Sequence, residues 1–169
     1  MKYKILGLGI IVFLIAISFS STVSACWTYE TAWGGCHDFE GKSTARYIEY
    51  EFICDGENEV YKPLFIGKPG HLTWVGFVKV WHESNCGDAL CIKFVTRCGW
   101  RLFETHVHVD EGYDPIPVNN GGNPKVGLFE YSYTPYCPWW QIYCCEISSD
   151  LCGDTFDIAA HAVVGKVMY

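Results

Sequence analysis

The chain has 169 residues, of which half are hydrophobic and 17% are aromatic, so its composition excludes a disordered polypeptide. Its formal net charge of −7 at pH 7 argues against nucleic acid as a partner. An even and dense set of ten cysteines predicts the disulfide framework of an exported domain.

Residues 1–25 have the features of a signal peptide. Two lysines precede an apolar run, and Val23-Ser24-Ala25 is a small-residue cleavage site. The apolar run is short for a membrane span of about 20 residues. We therefore predict a secreted or cell-surface protein with one mature domain, residues 26–169. The same junction fits a lipoprotein signal, in which a lipid on Cys26 would hold the chain on a membrane.

The cysteines favour disulfides over zinc, because Cys86-x4-Cys91 lacks the paired C-x2-C spacing of many structural zinc sites. The sequence leaves their pairing open. Cys144 and Cys145 point to opposite faces of a strand, so we expect them to have different partners. The full predicted disulfide set is Cys26, Cys36, Cys54, Cys86, Cys91, Cys98, Cys137, Cys144, Cys145 and Cys152.

Short alternating segments between Gly, Pro, Asn and Asp predict strands along the whole mature chain. No segment after the signal peptide has a sustained helical period. The predicted fold is therefore an all-β, disulfide-rich β-sandwich or jelly roll. Residues 111–125, which are rich in Pro, Gly and Asn, form a predicted loop. The predicted strands are 45–54, 60–66, 72–81, 90–97, 100–109, 126–133, 141–147 and 155–164.

The fifth predicted strand carries the clearest ligand-type side chains. Strand alternation places Glu104, His106, His108 and Asp110 on one face, and His161 from a neighbouring apolar strand could join them. Carboxylates and imidazoles in this pattern suit a divalent metal ion such as zinc or copper. A half-buried polar network, in which the acids orient the imidazoles, explains the same residues. A divalent metal ion is the one cofactor that the sequence suggests.

The aromatic run 133–140 could stack on a sugar, contact another subunit, or pack over the end of a sandwich. Enzyme signatures such as G-x-S-x-G, H-E-x-x-H and the phosphate loop do not occur. We therefore assign no catalytic residue and expect a protein that is not an enzyme. A pair of acids converging in a cleft would instead favour a small secreted hydrolase.

Four blocks together resemble a family of secreted microbial domains that occur in larger surface proteins and have no firmly assigned activity. The blocks are ETAWG at 30–34, ETHVHV at 104–109, GNPKVGLFEYS at 122–132 and IAAHAVV at 158–164. The resemblance implies a β-rich extracellular module and supplies no catalytic residue. In the domains that it resembles, the ETAW-type block follows the IAAHAVV-type block, whereas here it comes first.

Two arrangements explain this block order. In a circular permutation the N-terminal strand fills its slot in cis. In donor-strand exchange it fills the slot of the next subunit, and an exchange that does not close produces a filament. We therefore predict a non-catalytic structural module of a cell-surface layer or filament, which self-associates through Trp27, Tyr29 and Trp33. The alternative is an extracellular module that binds a metal ion or a glycan.

Overall fold

The computed structural model describes most of the predicted mature domain. The predicted signal peptide, residues 1–25, and the predicted disulfide residues Cys54 and Cys86 lie outside the described residues. Within the described part of the chain, no helix is long and apolar enough to cross a membrane. The described residues are 26–41, 43–53, 58–83, 89–112 and 114–168.

The described residues confirm the all-β prediction and form one domain built on one antiparallel sheet of ten strands. Two short 3-10 turns, Val126–Leu128 and Ser149–Leu151, are its helical elements. The strands are β1 (Cys26–Gly34), β2 (His37–Asp38), β3 (Arg46–Glu51), β4 (Glu59–Lys68), β5 (His71–Glu83), β6 (Ala89–Thr96), β7 (Trp100–Asp110), β8 (Tyr131–Tyr133), β9 (Trp140–Glu146) and β10 (Thr155–Met168).

The strands follow the order β2-β3-β10-β1-β4-β5-β6-β9, and β7 joins β10 to β8. The first strand along the chain thus lies inside the sheet, between β10 and β4. The far ends of the sheet approach each other, since the Leu102 N–H donates to the Pro138 carbonyl at 2.9 Å. The Tyr143 hydroxyl likewise donates to the Thr105 carbonyl at 3.0 Å. The sheet therefore curls around one core.

Strand alternation fills this core as the sequence predicts. Ile48, Tyr50 and Phe52 are fully buried, whereas Glu49 and Glu51 between them face solvent. Burying these side chains supplies the main driving force for folding. Buried residues from both halves of the curled sheet include Leu64, Val78, Val80, Ile92, Phe94, Leu102, Val107, Phe156, Ile158 and Val164.

Two local predictions are wrong. The predicted strand 126–133 divides into the 3-10 turn Val126–Leu128 and the short strand β8, because Phe129 turns inward and packs beside Trp33. Strand alternation also predicts that Phe103 lies on the other face of β7 from Glu104, together with Val107 and Val109. The β7–β10 register shifts at this point, and Phe103 instead lies outside the sheet, with its ring centroid 5.1 Å from that of Trp27.

One disulfide joins neighbouring strands, from Cys91 of β6 to Cys144 of β9. Cys152 is also disulfide-bonded. The described part of the chain also holds four free cysteines, for which disulfide bonding stays a prediction from the sequence. The free cysteines are Cys36, Cys98, Cys137 and Cys145.

Cys145 shows why adjacent cysteines differ. Cys144 and Cys145 do point to opposite faces of β9, as predicted. Cys144 meets Cys91 on the outer face, whereas Cys145 enters the core, where its thiol lies 3.5 Å from the Leu90 carbonyl. Burial raises the pKa of the Cys145 thiol to about 11, so this cysteine is an unreactive core residue.

Removing the β6–β9 disulfide should lower stability. Cys91 and Cys144 are 53 residues apart, and the chain-entropy relation gives such a loop about 4 kcal/mol. We therefore expect Cys91→Ala with Cys144→Ala to reduce the free energy of unfolding, measured in urea, by a value near this figure. The control is Cys36→Ser, since Cys36 is exposed and free. An equal loss in both proteins would contradict the assigned role.

Candidate functional site

The four sequence blocks meet on the outer surface of β1, β10 and β7. Trp33 pairs with His161, and His161 pairs with His106, so the three residues form one row across three strands. The segment after the long loop brings Phe129 against Trp33. Each block therefore contributes one ring to the same cluster.

Trp33 of β1 lies in an aromatic pocket, which we call the Trp33 socket and define as Phe39, Phe129 and His161. The distances from its ring centroid are 4.7 Å to His161, 6.2 Å to Phe39 and 6.3 Å to Phe129. The side chain is only 9% exposed, and Ala159 belongs to the same buried cluster. Edge-to-face and tilted ring contacts of this kind stabilise beyond simple burial. The socket is therefore a second, smaller core outside the sheet.

His161 acts as a neutral ring in this socket. Burial, and then the neighbouring His106, lower its pKa from 6.5 to about 4. Its Nδ1 is buried and has no hydrogen-bond partner among the described residues. An uncharged imidazole can pack against the Trp33 indole, whereas a protonated one would be a buried charge.

The polar rim of the socket is a carboxylate–imidazole pair. His106 Nε2 donates to Glu104 Oε1 at 2.7 Å, and the His106 and His161 ring centroids are 5.6 Å apart. Glu104 is partly exposed at this rim. The pair is the polar network that the sequence offered as the alternative to a metal site.

The other two predicted ligands lie apart from this pair. His108 Nε2 donates to the Asp114 carbonyl at 3.1 Å, and its ring faces Phe129. Asp110 pairs across the strands with Asp157. Among the described residues, no three His, Cys, Asp or Glu side chains are arranged to hold a metal ion. The metal site remains a prediction from the sequence.

Asp110 and Asp157 form an acid pair at the edge of an open cleft of about 240 Å³, which Tyr47 and Ile116 also line. Burial raises the pKa of Asp157, and the charges of Glu49 and Asp110 raise it further. The sequence did not predict this pair, because Asp157 becomes its partner only through the β7–β10 register. Acid chemistry would centre here if the domain were a hydrolase.

The predicted subunit-contact residues all lie on the outer side of β1. Trp27 and Tyr29 contact Phe103 of β7, with ring centroids 5.1 Å and 4.8 Å apart. Trp33 lies in its socket. A role of these three residues in contacts between copies remains a prediction.

Sequence reasoning missed two of the socket residues. Phe129 lies within one of the four blocks. Its large apolar side chain in a Gly- and Asn-rich segment could have indicated that it is buried. Phe39 has no such signal, because only the placement of the segment before β3 brings it to Trp33.

Comparisons with models of protein families, with curated proteins and with solved structures found no match to the chain. The all-β disulfide-bonded fold and the geometry above are therefore the grounds for a functional assignment.

Lowering the pH should weaken the fold through His161. Its pKa is lowered on folding, so its contribution is fully present above pH 6.5 and is lost as the pH falls towards 4. A shift of this size corresponds to about 3 kcal/mol. We expect His161→Gln to flatten the decline in urea stability between pH 7 and pH 4. Exposed His71→Gln is the control, and identical slopes for His161→Gln and the wild type would contradict the assignment.

Proposed function

We propose that this chain is a non-catalytic extracellular structural module that assembles into a surface layer or filament by exchanging β1 between copies. One observation carries the proposal: the first strand of the described chain is inserted between β10 and β4 inside the sheet. Within the described chain, the segment from residue 35 to residue 45, which contains β2, connects this strand to β3.

The slot for β1 is long and hydrogen-bonded. β1 pairs with β10 at nine successive positions, from Cys26↔Met168 to Gly34↔Ala160, and with β4 at three. If β1 left, unpaired edges of β10 and β4 would be exposed. Such edges pair readily with a strand from another chain. The strand of a second copy is the natural occupant, because it has the required sequence.

The fit between β1 and its slot is specific at each end. A Cβ added at Gly34 would lie 2.5 Å from Val78 Cγ2, so this position has no room for a side chain. A Cβ added at Gly165 would lie 2.5 Å from the Phe103 ring and 3.2 Å from Trp27. These close approaches and the Trp33 socket fix the register of whichever strand occupies the slot.

Cis and trans occupation of the slot use the same contacts between β1 and its neighbouring strands. The connection between β1 and β3 therefore decides which of the two occurs. Residues 35–45 include β2, which pairs with β3, and Phe39, so trans occupation requires these contacts to open. Once extended, the segment spans at most about 40 Å, enough to reach a neighbouring domain. Trans occupation keeps the contacts of β1 with its slot and loses those made by the connection, and raising the concentration favours the trans form. Head-to-tail exchange then continues without closing, which gives a filament.

A mixing experiment distinguishes trans from cis pairing. Thr31 and Val163 face each other across β1 and β10. We expect a Thr31→Cys chain and a Val163→Cys chain, unfolded together and refolded under mild oxidation, to form a covalent heterodimer linked at these two positions. Mass spectrometry of the linked peptides identifies the bond and separates it from links through the native free cysteines.

The matched control pairs Thr31→Cys with Glu146→Cys, because Glu146 is exposed and lies on β9, four strands away from β1 in the sheet. Background oxidation would link both mixtures equally. A heterodimer confined to the Thr31–Val163 mixture supports exchange. A Thr31→Cys/Val163→Cys double variant that cross-links only within one chain, with no heterodimer from the mixture, would refute it.

A further inference from the structure

The outer face of β4, β5, β6 and β9 carries aromatic rings in register. Alternate residues of these strands point away from the core, so Pro63, Phe77, Val95 and Trp140 form one row across the face. We name the exposed surface the aromatic face; its rings are Tyr61, Trp74, Phe77, Trp81 and Trp140.

None of the described strands or loops covers this face. Tyr61 is 54% exposed, Trp74 50% and Trp140 43%. Tyr61, Trp74 and Phe77 surround a shallow depression of about 290 Å³. Four adjacent strands make the face about 14 Å wide. A contiguous exposed apolar surface is typical of a site that binds another molecule.

Cations lie over the rings of the aromatic face. Arg97 is 4.0 Å from the centroid of Trp74, and Lys93 is 5.1 Å from that of Trp140. Lys79 lies over both Tyr61 and Trp81 and also pairs with Glu59. Cation–π contacts hold these groups at the surface and leave their outer sides open to a ligand.

The charged groups of this face are divided between its two ends. Lys93 and Arg97 lie at the end that carries Trp74 and Trp140, whereas strand alternation places Glu83 and Glu146 at the other end. No carboxylate among the described residues forms a salt bridge with Lys93 or Arg97. A ligand that matches the face must therefore offer flat apolar surfaces to the rings and anionic groups to the two cations.

We propose that the aromatic face binds an acidic polysaccharide, a polymer of uronic acid type. The flat C–H surfaces of its sugar rings would stack on Trp74 and Trp140. Its carboxylates would pair with Arg97 and Lys93, which stand beside those same rings. β4 borders both the face and the β1 slot, but the four residues assigned to the polymer, Trp74, Lys93, Arg97 and Trp140, lie on β5, β6, β9 and the turn after β6. Binding and strand exchange therefore use different residues.

The probe is polygalacturonate, and its highly methyl-esterified form is the matched ligand, because it keeps the sugar rings and removes the charges. We expect the mature, unreduced protein to bind polygalacturonate at least ten-fold more tightly than the ester in calorimetric titration. Raising the salt concentration should weaken only the binding of the acidic polymer.

Variants locate the site. Lys93→Gln with Arg97→Gln should weaken polygalacturonate binding at least ten-fold and leave the weak binding of the ester unchanged. Lys125→Gln with Lys166→Gln removes the same charge from exposed positions elsewhere and should change neither. Trp140→Ala should weaken binding of both polymers, and melting curves confirm that each variant is folded.

Three results would overturn the proposal. The first is equal affinity for the acidic and esterified polymers. The second is an equal loss of binding in the two lysine and arginine double variants. The third is no binding of either polymer by the wild type; if Trp140→Ala also reduces self-association in that case, a second copy of the chain is the occupant of the face.

Discussion

The hydrogen-bonded ladder on both edges of β10 is the constraint on which the structure depends. One edge pairs with β7. The other edge pairs first with β3 and then with β1 over nine positions. Because all three neighbours register on one strand, Trp33, His161 and His106 must lie side by side. The location of the first strand, the Trp33 socket and the acid pair all follow from this ladder.

The Trp33 socket explains why the polar side chains of Glu104, His106 and His161 lie next to the Trp33 indole ring. His161 is kept neutral by burial, and it presents a ring face to Trp33 rather than a ligand atom to an ion. His106 and Glu104 satisfy each other at the rim. In this account, the histidines help to retain β1, and the four sequence blocks are the parts of one strand-binding surface.

Local patterns predicted most of the strands and little of the site. The alternation around Ile48 and Tyr50 and the Pro69–Gly70 turn between β4 and β5 depend on residues near in sequence. The face of Phe103 was predicted wrongly because the register shift that reverses it depends on the partner strand. The separation of His108 from His106 depends on where the loop carbonyl of Asp114 lies. No pattern in the sequence predicts where that loop carbonyl lies.

The measurement that tests strand exchange most directly is native mass spectrometry of the mature, unreduced protein over a dilution series, with and without an excess of a synthetic peptide of residues 26–34. The account predicts a ladder of whole-number multimers at high concentration. It also predicts that the peptide shortens the ladder and adds its own mass to the terminal copies. A monomer at every concentration that never binds the peptide would contradict the account and leave β1 as a permanent strand of its own domain.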